Sequence, residues 1–416
     1  MSNNNNMKFQ FLGGGNEVGN TAIILEFDSY RLLLDYGLAP GKPPHYPLPP
    51  PNVDLVLLTH AHLDHSGMIP WLCTRQDQMI LATEPTEKIS NILHKDTINI
   101  AKMDGYAIPY DAKDVKNSEH HYTAISPSHV HELDDDYSII LHHAGHIPGA
   151  LMYEVRGSRV ILFTGDFNSV DTRLVKKAKP VKCDILFMEA TYAGREHPPR
   201  DKLEKEFLDK IKEVVDRGGV AVIPAFAVAR SQEIAMVLRR SGYDIWFDGM
   251  GKKITKVFLK YPRYLRSPEE LKKSFNDLNI VHSDHGRKQA LKSDVIITSS
   301  GMMDGGPVLW YMNRLKNDKK SAVILTGYQV EGTNSRLLIE KKKLNFYGVL
   351  EDIECEVDYF DFSAHAGHSE LIEFAKACEP EKIILYHSDD PSPLVEELKG
   401  FANDVITPDN GETIPL

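Results

Sequence analysis

The sequence predicts an α/β protein with two domains, and three observations lead to this class. The chain has 416 residues, which exceeds the size at which a single hydrophobic core usually stops growing. Its first third contains short apolar and β-branched runs separated by Gly, Asp and Asn, a pattern typical of strands. Beyond Glu189 helix-like and strand-like segments alternate, which predicts a parallel sheet covered by helices.

The elements follow from the apolar periods in chain order. In the first third, the predicted strands are Lys8–Leu12, Thr21–Phe27, Arg31–Leu34, Val53–Leu58, Ser138–His142, Leu151–Val155 and Val160–Phe163. The next segments are a helix Lys202–Asp216, a strand Val220–Ile223, a helix Ala229–Arg240 and a strand Ile245–Phe247. Later pieces are strands Val295–Thr298, Ala322–Leu325 and Ile383–Tyr386, a helix near Pro393–Asn403 and a last strand by Thr413.

Composition places the chain among ordinary globular proteins. No apolar run reaches the roughly 18 residues that a membrane span needs. The first residues, Met1 to Asn6, lack the basic and apolar stretches of a secretory signal. We therefore expect a cytoplasmic protein with no membrane partner and a disordered tip at residues 1–6.

The charge pattern gives a mixed indication about nucleic acid. A formal net charge of −11 disfavours uniform attraction to a polyanion. Between Arg200 and Lys273, however, 17 Lys and Arg stand against 11 Asp and Glu. This segment forms either one basic surface on an acidic body or an ordinary solvated face.

The strongest chemical signal is the segment Thr59–Gly67, which follows an apolar strand and contains His60, His62, Asp64 and His65. Three imidazoles and a carboxylate within six residues cannot all be satisfied core groups, because each would need its own buried partner. A chain that turns out of a strand end can aim alternate side chains at two neighbouring points. Imidazole and carboxylate ligands suit zinc, and the number of ligands suits a two-metal site.

Two further residues occupy loops of the same kind. His146 lies between the glycines of Ala144–Gly149, which allow close backbone approach. Asp166 follows the predicted strand Val160–Phe163, where its carboxylate can bridge two ions. We therefore predict that His146 and Asp166 complete the metal site.

These motifs resemble those of the metallo-β-lactamase superfamily: an Asp after an early strand, H-x-H-x-D-H, a later His and a bridging Asp. The early Asp falls on Asp35. The resemblance implies an αββα sandwich and a site with two Zn²⁺ ions, in which Asp35 orients a ligand imidazole or, alternatively, only caps a turn. It does not select a substrate, because thioester hydrolases, lactamases and nucleases share it.

The position of the last metal ligand narrows the class. No plausible histidine follows Asp166 within several tens of residues, and the best candidate is His387, at the end of the predicted strand Ile383–Tyr386. The arrangement resembles the β-CASP nucleases, whose three extra motifs match Glu189, His365 and His387. It implies a metallo-β-lactamase domain at 7–195, an inserted β-CASP domain at 196–350 and a closing part at 351–416.

The same resemblance implies an RNA substrate, because in that family a histidine at the third motif accompanies RNA. Within the family the segment Thr59–Gly67 is most similar to the RNA cleavage subunits of 3′-end-processing factors and their archaeal homologues. We hypothesise that His365 is the general acid, with Glu189 accepting its other ring N–H, and that Asp64 and Asp35 are the further catalytic positions. Candidate RNA contacts in a groove between the domains are Arg230, Ser300, Gly301 and Ser363.

Several alternatives stay open at this point. They are a thioesterase or lactamase on the same site, a DNA nuclease and a non-catalytic binding protein. Internal cutting and 5′-to-3′ trimming of RNA are not separated either. A homodimer and partners in RNA processing or RNA decay are expected from the resemblance alone.

Overall fold

A computed structural model of the chain describes residues 7–416. The disordered tip predicted for residues 1–6 lies outside the described residues. The described chain forms two compact units. Residues 7–171, 176–196 and 364–416 make up the first, and residues 172–175 and 197–363 make up the second. The domain limits at 195/196 and 350/351 remain predictions.

The first unit contains two sheets and the helices on them. Up to residue 196 its strands are β1 (Lys8–Gly13), β2 (Ala22–Phe27), β3 (Tyr30–Leu34), β4 (Leu55–Leu57), β5 (Met79–Ala82), β6 (Tyr122–Ala124), β7 (Val130–Glu132), β8 (Ser138–His143), β9 (Leu151–Arg156), β10 (Val160–Phe163) and β11 (Ile185–Glu189). Its helices there are α1 (Leu63–Ser66), α2 (Ile69–Leu72), α3 (Glu84–Asp104) and α4 (Ala112–Ser118).

The second unit alternates helix and strand. Its elements are α5 (Arg200–Asp216), β12 (Ala221–Pro224), α6 (Arg230–Leu238), β13 (Ile245–Asp248), α7 (Gly251–Lys260), a 3₁₀ turn (Pro262–Tyr264), α8 (Pro268–Asn276), β14 (Asn279–Ile280), α9 (Asp284–Ala290), β15 (Val295–Thr298), α10 (Pro307–Leu315), β16 (Ala322–Leu325), α11 (Asn334–Lys341), β17 (Lys343–Phe346), β18 (Val349–Asp352) and β19 (Glu356–Tyr359). The chain then completes the first unit with α12 (His368–Cys378), β20 (Lys382–Tyr386), α13 (Ser392–Leu398), β21 (Asp404–Ile406) and β22 (Thr413–Pro415).

The two sheets of the first unit have seven strands each, in the orders β22-β1-β2-β3-β4-β5-β6 and β21-β20-β11-β10-β9-β8-β7. Strands β3 to β6 are mutually parallel, and so are β10, β11, β20 and β21. The closing segment therefore supplies β20 as an inner strand of the second sheet. As a result, residues far apart in sequence end their strands at the same sheet edge.

Side-chain alternation explains why the two sheets face each other. In β4, Leu55 and Leu57 belong to a core shared with Phe163 and Phe187 of the second sheet. The intervening Val56 instead belongs to a core with α2 and α4 on the outer face. Successive side chains of a strand point to opposite faces, so both faces of the first sheet are buried. This arrangement is the predicted αββα sandwich.

The second unit is built on one parallel sheet in the order β14-β13-β15-β12-β16-β19. Its inner strands β12, β15 and β16 are buried on both faces. Ile223 and Ile297 pack with Phe207 of α5 on one face, whereas Ile296 packs with Leu309 of α10 on the other. The predicted fold class, a sandwich with an inserted parallel-sheet domain flanked by helices, is confirmed.

A long helix and a hairpin are among the described elements that were not predicted from the sequence. The 21-residue helix α3 begins at the N-cap Thr83, whose hydroxyl accepts a hydrogen bond from the Thr86 amide, and ends at Gly105 with a φ of +77°. The hairpin β17–β18 forms a separate two-stranded sheet. Within residues 7–416, no helix is both long enough and apolar enough to cross a lipid bilayer.

Candidate metal centre

The segment that follows β4 positions four candidate ligands. Its backbone is fixed by hydrogen bonds from the Thr21 amide to the Asp64 carbonyl (2.8 Å) and from the Tyr36 amide to the His65 carbonyl (2.8 Å). A Cβ atom on Gly37 would lie 1.8 Å from the Asp64 carbonyl oxygen, so this close approach requires glycine. The side chains of the segment are therefore held by a rigid backbone.

One group of ligand atoms surrounds a small buried space. His62 Nδ1 lies 3.1 Å from both His60 Nε2 and His146 Nε2. Asp166 Oδ2 lies 3.5 Å from His60 Nε2 and 3.7 Å from His146 Nε2. Tetrahedral zinc with bonds of about 2.0–2.1 Å separates its ligand atoms by about 3.3–3.4 Å. These four residues therefore have the spacing of a zinc site.

A second group shares Asp166 with the first. It contains Asp64, His65, Asp166 and His387, whose ligand atoms all lie within 4.8 Å of one another. His387 Nε2 is 3.5 Å from Asp64 Oδ2, and His65 Nε2 is 3.2 Å from Asp166 Oδ1. Asp166 thus offers one carboxylate oxygen to each group.

Unpartnered polar atoms support a cation at the second group. His65 Nε2, Asp166 Oδ1 and His387 Nε2 are buried and have no hydrogen-bond partner among the described residues. Buried polar atoms are normally paired, and a cation in this space would satisfy all three. The residues present therefore fit a pair of metal ions.

The electrostatics of the first group also suit a metal. Burial, reinforced for His60 by the neighbouring His65, holds the pKa of His60 and His146 well below its ordinary value. These imidazoles are therefore neutral near pH 7, the form that binds metals. Burial alone would raise the pKa of Asp166, but imidazoles, foremost His65 and His387, hold it well below its ordinary value. The Asp166 carboxylate is thus ionised, as a metal ligand must be.

Asp35 and the Ala364 carbonyl orient two of the rings. His65 Nδ1 donates to Asp35 Oδ2 at 2.6 Å, and His146 Nδ1 donates to the Ala364 carbonyl at 2.8 Å. Each of these contacts leaves Nε2 as the atom that can bind an ion. Asp35 itself has a φ of +57°, a conformation that non-glycine residues rarely adopt, and it accepts a 2.7 Å hydrogen bond from the Thr59 amide.

A third group lies beside the ligands and contains the candidate acid. His365 Nδ1 donates to Glu189 Oε1 at 2.8 Å, and His365 Nε2 lies 3.9 Å from Asp166 Oδ2. The His365 side chain is 17% exposed, whereas Glu189 is fully buried. Burial alone would lower the pKa of His365, but the carboxylates of Glu189 and Asp166 raise it to about 9. A cation bound to Asp166 would cancel the part of this pKa increase that comes from Asp166. Glu189 would then be the carboxylate that stabilises the imidazolium.

Parallel strands explain how distant positions meet here. Asp166, Glu189 and His387 lie at or just beyond the carboxyl ends of β10, β11 and β20, which are neighbours in one sheet. His387 has a φ of +56°, and its amide donates to the Gly14 carbonyl at 2.7 Å. The predicted ligands His60, His62, Asp64, His65, His146, Asp166 and His387 are thus brought together, with Asp35, Glu189 and His365 beside them.

The candidate RNA contacts lie at the carboxyl edge of the second unit's sheet. Arg230 opens α6 beyond β12, and Ser300 and Gly301 follow the adjacent strand β15. Ser363 follows β19, which is two strands from β12, or about 10 Å at ordinary strand spacing. Arg230, Ser300 and Gly301 therefore follow adjacent strands of this sheet, and Ser363 follows its edge strand β19. Ligands of open α/β sheets bind at such an edge.

Two hydroxyl groups near the ligands were missed from the sequence. Thr59 Oγ1 donates to Asp35 Oδ2 at 2.8 Å, and Thr191 Oγ1 donates to Glu189 Oε2 at 2.5 Å. Their sequence signal is weak, since each is only a threonine close to a candidate ligand or acid. Their importance depends on distances that appear only in the folded chain.

An αββα sandwich that gathers His and Asp side chains into two groups with one shared carboxylate defines a hydrolase of the metallo-β-lactamase type. Three family models match the chain: a metallo-beta-lactamase superfamily domain at residues 24–183, a Beta-Casp domain at 231–338 and a Zn-dependent metallo-hydrolase RNA specificity domain at 351–408.

Curated relatives extend this similarity to the whole chain. The chain is 37% identical to the Probable RNase MJ4 of Methanocaldococcus jannaschii, over 99% of this chain and all of that protein. It is 36% identical to the RNase aCSPSF2 of Saccharolobus solfataricus, over 99% of this chain and 86% of that protein. The Transcription termination factor FttA of M. jannaschii is 32% identical, over 93% of this chain and 68% of that protein.

A solved structure agrees at the level of the fold. A crystal structure of a protein of unknown function from Enterococcus faecalis V583 superimposes with a TM-score of 0.63 at 16% identity, over 99% of this chain and all of that one. The chain belongs to the β-CASP ribonuclease family of the metallo-β-lactamase superfamily. The family predicted from the sequence is confirmed.

Proposed function

We propose that the protein is a zinc-dependent ribonuclease that uses two ions to hydrolyse RNA phosphodiester bonds, with 5′-phosphate and 3′-hydroxyl products. The observation that carries this proposal is the pair of ligand groups joined by Asp166. Relatives named RNase support the substrate class. Imidazole and carboxylate donors without thiolates support zinc. A cytoplasmic location, a homodimer and RNA-processing or RNA-decay partners stay predictions.

The metal ions and the chain's own residues have separate tasks. His60, His62, His146 and Asp166 would hold one ion, and Asp64, His65, Asp166 and His387 would hold the other. Two divalent ions bound there would lower the pKa of water from 15.7 towards about 7 and neutralise charge on phosphoryl oxygens. The protein side chains would bind these ions, and one of them would supply the proton that the leaving group needs.

His365 is positioned to supply that proton. Its Nδ1–H is held by Glu189 Oε1 at 2.8 Å, which fixes the ring and favours the imidazolium. Its Nε2–H is then the proton that passes to the 3′-oxygen as the P–O bond breaks. Asp35 acts one contact further away, because it touches His65 rather than the substrate. General acid–base help of this kind is typically worth about 10²–10⁴-fold.

The test compares His365→Ala with His142→Ala as the matched control. His142 also contacts a carboxylate, Glu154, at 2.6 Å, but it lies outside the ligand groups. We expect His365→Ala to keep its zinc and to lose about 10²–10⁴-fold in turnover of RNA. With bis(4-nitrophenyl) phosphate, whose leaving group departs without a proton, the loss should be small. The control should retain activity on both substrates.

Two outcomes would contradict the acid role. Loss of zinc from His365→Ala, measured by elemental analysis, would make His365 a ligand. An equal loss on both substrates would show that His365 does not protonate the leaving oxygen. Single-stranded DNA of the same sequence, offered beside RNA, tests the substrate class, and DNA cleavage at the same rate would contradict selectivity for RNA.

The RNA candidates at the carboxyl edge of the second unit's sheet form a separate part of the proposal. Arg230 would contribute charge to a phosphate, and Ser300, Gly301 and Ser363 would contribute hydrogen-bond donors. A 5′-labelled RNA incubated with the zinc-loaded protein gives a ladder for internal cutting and a single short product for 5′-to-3′ trimming. This pattern decides between the two modes of cleavage that the sequence left open.

A further inference from the structure

Thr191 lies between the candidate acid's partner and a candidate metal ligand. Glu189 ends β11 and pairs in register with Tyr386 of β20, so the following residues of the two strands are adjacent. Thr191 Oγ1 is 2.5 Å from Glu189 Oε2, 3.0 Å from His387 Nδ1 and 3.2 Å from the His387 carbonyl oxygen. One buried hydroxyl thus touches both groups.

The direction of these hydrogen bonds follows from donor and acceptor counts. A hydroxyl has one proton to donate, and of its three contacts the short one, to an ionised carboxylate, offers the strongest acceptor. Thr191 therefore donates to Glu189, and its oxygen accepts the Nδ1–H of His387. This leaves the lone pair of His387 on Nε2, the buried atom that has no hydrogen-bond partner among the described residues.

Glu189 is consequently the centre of a small network. Its Oε1 accepts from His365 Nδ1 (2.8 Å) and from the Phe167 amide (3.1 Å). Its Oε2 accepts from the Thr191 hydroxyl and from the Thr191 amide at 3.2 Å. Four donors hold one fully buried carboxylate, so its orientation is fixed. A single carboxylate thereby positions His365 directly and His387 through Thr191.

The first sheet contains the same arrangement. Asp35 accepts directly from His65 at 2.6 Å and from the Thr59 hydroxyl at 2.8 Å. Thr59 Oγ1 in turn lies 3.0 Å from His60 Nδ1. Two carboxylates on different sheets each hold one imidazole directly and a second through a threonine hydroxyl. This repetition argues that the hydroxyl has a role in orienting the ligands.

We infer that Thr191 is a positioning residue whose hydroxyl sets the His387 ring for metal binding and ties it to the Glu189–His365 pair. The inference rests on the proposed function, since it concerns the same ions and the same acid. It adds a physical connection between metal binding and proton transfer. The buried carboxylate of Glu189 orients the proton donor His365 directly and His387 through Thr191. Outer contacts of this kind typically change metal affinity or activity about 10–100-fold when removed.

The experiment uses the full chain and four variants. Thr191→Val removes only the hydroxyl, and Thr191→Ser keeps it. Thr59→Val makes the equivalent change at His60. Thr97→Val is the control for losing a buried hydroxyl, because Thr97 Oγ1 donates to the Leu93 carbonyl at 3.0 Å within α3. Zinc affinity is measured by competition with a chromogenic chelator, and site occupancy is measured by anomalous scattering at the zinc edge.

We expect Thr191→Val to bind one of its two zinc ions about 10–100-fold more weakly, with reduced occupancy beside His387. Thr191→Ser should restore wild-type affinity. Thr59→Val should weaken the ion beside His60 instead, and Thr97→Val should weaken neither. At saturating zinc, Thr191→Val should regain turnover of bis(4-nitrophenyl) phosphate but keep a deficit on RNA, because Glu189 has lost a donor that fixes it.

Wild-type zinc affinity and wild-type RNA turnover in Thr191→Val would overturn the inference. Failure of Thr191→Ser to rescue would also contradict it, because the effect would then come from packing. Failure of the proposed function would give a different result. The wild-type protein itself would then lack two zinc ions or ribonuclease activity.

Discussion

Single hydrogen bonds decide which nitrogen of each histidine faces the metal space. His65 and His146 each donate Nδ1–H, to Asp35 and to the Ala364 carbonyl respectively. With that proton placed, Nε2 presents a lone pair, which a cation requires. Changing the acceptor should therefore change metal binding although the ligand itself is untouched.

Asp35→Asn tests this expectation at His65. An amide nitrogen placed towards Nδ1 offers a donor where the ring needs an acceptor, so zinc affinity should fall by about 10–100-fold. Competition against a chelator measures the change. Asp28→Asn is the matched control, because Asp28 accepts a 2.6 Å hydrogen bond from the Tyr137 hydroxyl and lies outside the candidate ligand groups. Unchanged zinc affinity in Asp35→Asn would leave Asp35 with the role of a turn-capping residue.

A different histidine, His94, links the free energy of unfolding to pH. His94 is buried in α3, and its Nε2 donates to the Ser66 carbonyl at 2.9 Å. Burial lowers the pKa of His94 to about 4, whereas an unfolded histidine has a pKa of about 6.5. Between these values the unfolded chain binds a proton that the folded chain does not. The free energy of unfolding should therefore fall as the pH falls through this window.

The expected contribution is about 3 kcal/mol, since one pKa unit corresponds to about 1.4 kcal/mol. Urea unfolding at pH 7 and pH 4.5, for the wild type and His94→Leu, separates it from other titrating groups. The variant should lose less stability on acidification than the wild type. Equal losses would show that His94 takes no part in the acid response.

At the scale of elements, Glu233 joins a short segment to two helices of the second unit. It accepts hydrogen bonds from the amides of Arg173 (3.0 Å) and Leu174 (2.9 Å) and from Arg200 Nη2 (2.7 Å). Its side chain is only 4% exposed. Residues 172–175 are therefore held to α5 and α6 by one buried carboxylate.

Glu233→Ala should lower the free energy of unfolding by about 3–5 kcal/mol, because removal of one partner leaves a buried charge and two amides unsatisfied. Glu206→Ala is the control: it removes the ion pair with the exposed Lys202 (3.8 Å) and should cost about 1 kcal/mol or less. Equal losses for the two variants, measured by urea titration, would contradict the role given to Glu233.

The inner strands β15 and β16 were predictable from the sequence because each is an uninterrupted run of apolar and β-branched residues. All four positions of Val295–Thr298 and Ala322–Leu325 are buried. Helix α3 was not, because its buried face carries Thr86, Ser90, Asn91, His94 and Thr97 beside only a few apolar residues. Such a face dilutes the 3.6-residue period on which the prediction depends.

The hairpin β17–β18 was missed for another reason. Its turn places Tyr347 at φ +53° and Gly348 at φ +96°, where Asn-Gly is the common signal. In the candidate metal centre, the residues that come together could be selected from the sequence because clustered His and Asp have few other uses. Thr59 and Thr191 were not, because a hydroxyl becomes informative only when its distance to an imidazole is known.

At the scale of the whole molecule, charge is unevenly spread along the sequence. The chain carries −11 overall, yet Arg200 to Lys273 has a surplus of Lys and Arg. Most of α5 to α8 of the second unit lies in this segment. RNA binding should therefore weaken with salt, because each phosphate contact releases counterions.

Arg230→Ala should reduce the slope of log affinity against log salt by about 0.7, the value for one phosphate of a single strand. Binding is measured in a His365→Ala background so that the RNA stays intact. Arg240→Ala is the control, since Arg240 is 84% exposed and lies beyond the end of α6. An unchanged slope in Arg230→Ala would remove Arg230 from the RNA contacts.

Metal removal should affect the stability of the first unit. Its candidate ligands come from segments as distant as His60 and His387, so bound ions would crosslink the early and the closing parts of the chain. Zinc at about 1,000 times its Kd would stabilise the folded state by about 4 kcal/mol per site. Calorimetry before and after exhaustive chelation should show a lower Tm for the apoprotein. Identical Tm values would contradict metal binding at this centre.

The inner position of β20 has a consequence during synthesis. This strand lies between β11 and β21 and leads directly into His387, so a ribosome must decode past residue 387 before all seven candidate ligands exist. A nascent polypeptide with residues 1–363 outside the ribosome would contain the candidate RNA contacts but an incomplete catalytic centre. The growing chain would therefore not cleave the messenger RNA that encodes it until translation has passed codon 387.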